Sequence, residues 1–320
     1  MAKMKSQLQL PEEQRLLTPR EKFWKNMARD RYLLMMLIVP TILMLVFNYL
    51  PMFGNIIAFQ NYKAGDSFIN PREWVGLDHF VRFFESPHAS RLIKNTVLLS
   101  LFSILFGMPV PLIFALIMNE LHHGKGKRAV QTVACFPNFI STVVVVGIVL
   151  SLFSDEGVVN QALALLGAEP AKFFADPKYF RTMYIASGIW QTFGWGSLLY
   201  LSAFSAIDPA LYEAAAMDGA SRFQQMRYIT LPHAVATFSI QFILNMGSIF
   251  AMSADKILLM QTPAIYETAD VIATYVYRAG ITGGQYSFTT AIGLMNSVLN
   301  LILIVTFNKV AKKANMASFW

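Results

Sequence analysis

Amide and indole side chains recur at helical spacing inside long apolar stretches of the sequence. Gln241, Asn245 and Ser248 follow one another at steps of 4 and 3 residues, so a helix would hold them within about 60° of one face. Such groups suit a hydroxyl-rich ligand, because amides exchange hydrogen bonds with hydroxyls and indoles offer a flat apolar face. The alternative is that these amides join neighbouring helices, since an unpaired polar group in hydrocarbon is costly. The other members of this candidate path are Trp190, Gln191, Trp195, Asn296 and Asn300.

Charged side chains are missing from these stretches. None contains Asp, Glu, Lys or Arg, so they offer neither a proton relay nor a carboxylate ligand. The sequence has no Gly-x-x-x-x-Gly-Lys-Ser/Thr phosphate loop, and its run from Gly124 to Lys127 lacks both the spacing and the terminal hydroxyl residue. We therefore predict no catalytic residue, no metal site and no cofactor in this chain, so that any ATP hydrolysis would need another subunit.

The apolar stretches have the length of membrane spans. The 320 residues are 55% apolar and only 14% charged, a balance typical of polytopic membrane proteins. About 20 helical residues cross the roughly 30 Å hydrocarbon core, and six uncharged stretches come near that length. We predict an all-α integral membrane protein with six spans, the first three of them kinked by Pro40, Pro109, Pro111 and Pro137. The spans are approximately Leu33–Leu50, Thr96–Asn119, Ala129–Phe153, Thr182–Phe204, Ala234–Ser253 and Ser287–Asn308.

The distribution of basic residues predicts the orientation of the chain. Of the 26 Lys and Arg, 16 lie in the two tails and in the loops after the second and fourth spans. The positive-inside rule then places both termini in the cytoplasm. Residues 1–31 form a polar tail in which Thr18, Pro19 and Glu21 predict the start of a short helix. The net charge of +7 is explained by topology and by contact with anionic membrane lipid, so we predict no nucleic-acid partner.

The predicted cytoplasmic loop at 205–232 contains the signals of two short helices joined by a sharp corner. Asp208 can cap a helix that begins at Pro209, and Gly219 supplies the left-handed residue that ends it. Ser221 and Gln224 have the spacing of a capping box for the next helix. A small exposed helix held against a membrane domain is suited to insertion into a groove on a partner.

This loop closely resembles the EAA signature of bacterial ABC importer permeases. The resemblance implies the six-span type I ABC importer permease fold in a bacterial cytoplasmic (inner) membrane, with the spans in a domain at 32–320. It implies that the loop docks into a separate ATPase subunit, which binds the ATP and Mg²⁺, and that Glu213 meets a basic residue there. The matching residues are Glu213, Ala214, Ala215, Gly219, Ile229, Leu231 and Pro232.

Four further strings resemble the branch of this family that imports oligosaccharides and polysaccharides. The resemblance implies a homologous second permease subunit, two ABC ATPase subunits and an extracytoplasmic sugar-binding protein, for which the loops at 51–95 and 254–286 are candidate contacts. An acidic cargo such as alginate is one implied candidate, and Lys256 and Arg278 lie in the second of these loops. The strings are Tyr49 to Gly54, Trp74 to Leu77, Tyr266 to Asp270 and Gly284 to Phe288.

Two other functions remain as alternatives. A sodium-coupled secondary transporter could bind its ion through amide and carbonyl oxygens, which the spans do offer. A membrane enzyme would need paired intramembrane Asp, a Gly-x-Ser-x-Gly turn or a His-Glu-x-x-His helix, and the sequence has none of them. Catalysis by the purified chain without an ATPase would favour the second alternative.

Overall fold

The described part of the chain is built from helices. The computed structural model describes residues 19–66, 73–121, 124–314 and 317–318, and the extended pairing within them is one isolated antiparallel bridge between Gln60 and Trp74. The helices are α1 (Pro19–Arg29), α2 (Arg31–Phe59), α3 (Asp78–Glu85), α4 (Ala89–Glu120), α5 (Lys125–Phe139), α6 (Thr142–Leu152), α7 (Val158–Leu165), α8 (Pro177–Ser205), α9 (Pro209–Met217), α10 (Arg222–Met246), α11 (Asp255–Met260), α12 (Tyr266–Ala269), α13 (Ile272–Val276) and α14 (Tyr286–Lys313).

Four of the described helices, α2, α4, α10 and α14, are long and apolar enough to cross a membrane. A fifth candidate is the pair α5 and α6, which are bent by 98° at a short break after the turn that contains Pro137. The predicted kink in the third span is therefore confirmed, whereas α2 and α4 each continue past their prolines as one helix. Helix α8 covers the predicted fourth span with 29 residues but is not among these candidates. The count of six spans and the cytoplasmic termini stay predictions.

The chain divides into two compact units, residues 1–56 and residues 57–320. The described part of the first unit contains α1, which begins at the predicted Pro19, and most of α2. The second unit contains the helices from α3 onward, with the long helix α8 packed along α4. Its largest buried cluster joins Phe180 and Met183 of α8 to Val149 of α6 and Ile257 of α11.

Glycines permit two close helix approaches in the second unit. Gly194 of α8 lies so near the backbone of Ala134 in α5 that a Cβ atom there would overlap the Ala134 carbonyl group. Gly247 lies directly after α10, and a Cβ atom there would come 2.8 Å from the Cβ of Ile304 in α14. Both contacts need the absence of a side chain, because neither the backbone nor a β-branched residue can move aside easily.

The predicted fifth span is wrong at its C-terminal end. Helix α10 ends at Met246, and not at Ser253, because the chain turns away at Gly247 and continues without regular structure. Side chains from other helices bind the freed backbone groups: the Ser100 hydroxyl donates to the carbonyl of Ile249 at 2.7 Å. Ser248 therefore lies beyond the helix, and the predicted polar stripe is shorter than the sequence indicates.

Candidate coupling loop and substrate path

Helix α9 begins and ends as its capping residues predict. The Asp208 carboxylate accepts a hydrogen bond from the backbone N–H of Ala210 at 2.9 Å, and Pro209 occupies the first helical position. At the other end Gly219 has a φ of +80°, which is the left-handed conformation that glycine adopts without strain. The N–H of Ala220 then donates to the carbonyl of Ala215 at 2.9 Å, as in a Schellman motif.

The corner at Gly219 leads directly into a second capped helix. The Ser221 hydroxyl accepts from the N–H of Gln224 at 3.3 Å, and the Gln224 side chain accepts from the N–H of Ser221 at 2.7 Å. This is the reciprocal capping box predicted from the sequence, and it begins α10. The two helices are thus joined by a turn whose backbone groups are satisfied locally.

The base of α9 is fixed to the rest of the second unit. The Tyr212 hydroxyl and the buried Thr230 hydroxyl lie 2.9 Å apart in a hydrogen bond. The rings and aliphatic groups of Tyr212 and Ile229 pack against a buried cluster that includes Tyr200 and Phe204 of α8. A displacement of α9 would therefore move α8 and the start of α10 with it.

Several apolar side chains of this loop are exposed. Met217, Phe223 and Tyr228 are 89%, 67% and 75% exposed, and α9 has no buried residue. Glu213 lies on the same helix, is exposed, and forms no ion pair with any described residue. A carboxylate among exposed apolar side chains suits a partner groove that carries a basic residue.

Three predicted path residues of α8 face the bent pair of helices. The Gln191 amide donates to the carbonyl of Ile140 at 3.1 Å, at the break between α5 and α6. Trp195 packs edge-on against Phe139, with ring centroids 5.7 Å apart. Trp190 lines an apolar groove of about 900 Å³. The structure thus brings Gln191 and Trp195 to one junction, and Trp190 beside it.

The amides of α10 and α14 differ in how they are satisfied. Asn300 accepts a hydrogen bond from the backbone N–H of Phe250 at 3.0 Å, which is the helix-joining role considered as the alternative. Asn245 donates to the carbonyl of Gln241, one turn earlier, at 2.8 Å. The Nε2 of Gln241 and the Oδ1 of Asn296 are buried and have no hydrogen-bond partner among the described residues. Both atoms therefore have hydrogen-bonding capacity available to a ligand or another subunit.

The two loops predicted to contact a binding protein meet in the structure. The N–H of Tyr62 donates to the Ser287 hydroxyl at 2.9 Å, and Arg82 donates to the side chain of Gln285 at 3.2 Å. Between the loops lies a pocket of about 640 Å³. The tyrosines and threonines that line it are Tyr62, Tyr277, Tyr286, Thr289 and Thr290.

A buried carboxylate joins the segment between α12 and α13 to α4, and the sequence interpretation missed it. Asp270 is 1% exposed and pairs with Arg278 at 2.7 Å and with Arg91 at 3.4 Å. The Asn95 amide donates to the Asp270 carbonyl at 3.0 Å and accepts from Arg181 at 2.9 Å. The signal was present, since Asp270 ends one of the four strings that resemble carbohydrate importers, but pairing across 179 residues is not readable from spacing.

Comparison with known proteins places the chain among transport proteins. It matches the family described as "Binding-protein-dependent transport system inner membrane component" over residues 90–315. It is 41% identical to Protein LplB of Bacillus subtilis (strain 168) over 288 residues, which are 90% of each chain. It is 37% identical to the polygalacturonan/rhamnogalacturonan transport system permease protein YteP of the same strain, over 92% of each chain.

A solved structure resembles the fold as well as the sequence. It is a bacterial alginate ABC transporter in complex with an alginate pentasaccharide-bound periplasmic protein. One chain of it superposes with a TM-score of 0.84 and 40% identity, over 93% of this chain and all of that one.

Proposed function

Since this chain belongs to the family of inner membrane components of binding-protein-dependent transport systems, and is the permease of an ABC sugar importer, we propose that its cargo is an acidic oligosaccharide. It receives this cargo from an extracytoplasmic binding protein and passes it across the bacterial cytoplasmic membrane. It works with a homologous second permease subunit and with two ATPase subunits that hold the ATP. No observation favours a sodium-coupled transporter or a membrane enzyme.

The observation that carries the proposed work with ATPase subunits is the anchored loop at 205–232. Its exposed face, with Glu213 and Met217, is available to an ATPase groove, while Tyr212 ties its base to Thr230. ATP-driven movement of the ATPase subunits would displace α9, and with it α8 and α10, which pack against its base. Because the candidate path includes residues of both helices, this displacement would open and close the path, as alternating access requires.

The acidic cargo is supported by the relatives and by the charges of this chain. Alginate and polygalacturonan, named for two similar proteins, are polymers of sugar acids. Among the described residues, Arg91 and Arg278 both pair with the Asp270 carboxylate. The nearby Arg181 donates to Asn95 and forms no ion pair with a described carboxylate, so positive charge is in excess in this region.

The coupling role is tested with Glu213→Lys in the assembled complex reconstituted in liposomes. Like charges at a docking interface cost several kcal/mol, whereas charge reversal at an exposed site changes stability by less than about 0.5 kcal/mol. We expect normal insertion, weakened ATPase binding and at least a tenfold loss of uptake. The matched control is Glu169→Lys, a reversal at another exposed glutamate outside the loop.

Binding-protein-stimulated ATP hydrolysis separates coupling from folding. Glu213→Lys should lower the stimulation together with uptake, while the control keeps both. Wild-type uptake and wild-type stimulation in Glu213→Lys would contradict the assignment of this loop as the coupling element.

A further inference from the structure

One face of helix α8 carries a line of polar and small residues from its outer end toward the candidate path. Arg181, Tyr184, Gly188 and Gln191 follow at steps of 3, 4 and 3 residues, which places them within about 80° of one another around the helix. With a rise of 1.5 Å per residue, the line is about 15 Å long. Gln191 ends it at the junction of α5 and α6.

Lys256 lies against the middle of this line. Its ammonium group donates a hydrogen bond to the carbonyl oxygen of Tyr184 at 3.1 Å and sits 4.9 Å from the centroid of the Tyr184 ring. A Cβ atom at Gly188 would come 3.5 Å from the same nitrogen, so the glycine leaves room beside the ammonium group. Lys256 is thus held on α8 by neutral groups.

No described carboxylate lies within 4.0 Å of the Lys256 ammonium group. Burial lowers the pKa of Lys256 to about 8, because a cation that loses water without gaining an anion is destabilised. The neighbouring Arg181 also lacks a described carboxylate partner. It donates to the Asn95 oxygen, and its Nε is buried with no partner among the described residues.

The contrast with the Asp270 cluster shows what is missing at this position. There, Arg278 and Arg91 share a carboxylate that is 1% exposed, so burial of charge is matched by opposite charge. Along α8, Arg181 is three residues before Tyr184, which Lys256 contacts, and neither cation pairs with a described carboxylate. A desolvated cation attracts an anion far more strongly than an exposed one does.

We propose that Lys256 and Arg181 form a binding site for the carboxylate of a sugar acid, at the outer end of the path along α8. The ammonium group and the guanidinium group hold the carboxylate by charge-assisted hydrogen bonds, and the Tyr184 ring offers a flat surface beside it. Lys256 thereby makes the path selective for acidic over neutral sugars. This inference rests on the acidic cargo of the proposed function.

The test uses the reconstituted complex and two probes of equal length, a mannuronate tetrasaccharide and its carboxyl-reduced neutral counterpart. Lys256→Met keeps the length of the side chain and removes the charge, whereas Lys256→Arg keeps the charge. We expect Lys256→Met to raise KM for the acidic probe at least tenfold and to leave uptake of the neutral probe unchanged. Lys172→Met, at an exposed lysine, is the matched control and should change neither.

The pH profile distinguishes a charge role from a packing role. Lys256 is protonated below its pKa of about 8, so wild-type uptake of the acidic probe should fall as the pH rises from 7 to 9. Lys256→Arg should not show this fall, because a guanidinium stays charged. The ionisable groups near Lys256 are Tyr184 and Arg181 on α8 and Asp255 on its own helix, while α6, which packs against α11, has none.

Each failure has its own outcome. If Lys256→Met kept the wild-type KM for the acidic probe and the wild-type preference for it over the neutral probe, the carboxylate site would be overturned. The proposed acidic cargo would stand. If the wild-type complex took up the neutral probe and not the acidic one, the acidic cargo itself would be refuted. Loss of assembly in Lys256→Met, with normal assembly in Lys172→Met, would show that the missing anion belongs to a partner subunit and would also overturn the site.

Discussion

At the scale of single residues, Asp270 illustrates how a buried charge can hold segments that are distant in sequence. Its two carboxylate oxygens accept from Arg278 and Arg91, and Thr274 donates to it at 2.9 Å. The guanidinium of Arg278 also lies 4.8 Å from the Tyr266 ring centroid. Removing the carboxylate would leave these donors and cations facing one another without an acceptor.

We predict that Asp270→Asn lowers the thermal unfolding temperature of the purified chain in detergent. Breaking a buried ion pair by removal of one partner costs about 3–5 kcal/mol, a range that the partial exposure of both arginines reduces. Asp176→Asn is the matched control, because Asp176 pairs with the exposed Lys178 and asparagine still caps the helix. Equal unfolding temperatures for the two variants would contradict the role given to Asp270.

At the scale of elements, local signals predicted the coupling loop well and the ends of the spans poorly. Asp208, Gly219 and Ser221 act on neighbouring backbone groups, so their roles can be read from spacing. The end of α10 depends instead on Gly247 meeting Ile304 and on Asn300 binding Phe250. Those contacts join residues about 50 positions apart and leave no periodic signal in the sequence.

The contact between α8 and α5 gives a prediction about helix packing. Gly194→Ala places a methyl group against the backbone of Ala134, so the helices must separate and stability should fall by about 1–3 kcal/mol. Gly293→Ala in α14 is the control, because nothing lies within 4 Å of the added methyl group and alanine favours a helix by about 1 kcal/mol.

Thermal unfolding in detergent should therefore move in opposite directions for the two glycine variants. The proposed close approach of α8 and α5 would be refuted by an unchanged or raised unfolding temperature in Gly194→Ala.

At the scale of the whole molecule, composition predicted the membrane class and the all-helical fold. Spacing alone could not show which amides serve the path: Asn300 joins α14 to the segment after α10, while Gln241 keeps an unpaired buried amide nitrogen. The sequence placed Lys256 in a candidate contact loop, but its contact with Tyr184, 72 residues away, could not be read from spacing.

The predicted orientation can be measured by cysteine labelling of intact cells. In a background where Cys135 is replaced by Ala, a cysteine at the exposed Ser90 should react with an impermeant maleimide from outside. A cysteine at Ser221 should react only after the membrane is opened. The reverse pattern would place both termini outside and overturn the predicted topology.

The corner at Gly219 also limits how this loop can change during evolution. Its φ is +80°, yet nothing lies within 4 Å of a Cβ atom built there, so the demand is for a backbone conformation and not for small size. Asparagine enters the left-handed region more readily than other residues with a side chain. It is therefore the replacement that should disturb the backbone of this corner least. Alanine, although smaller, is the poorer substitute.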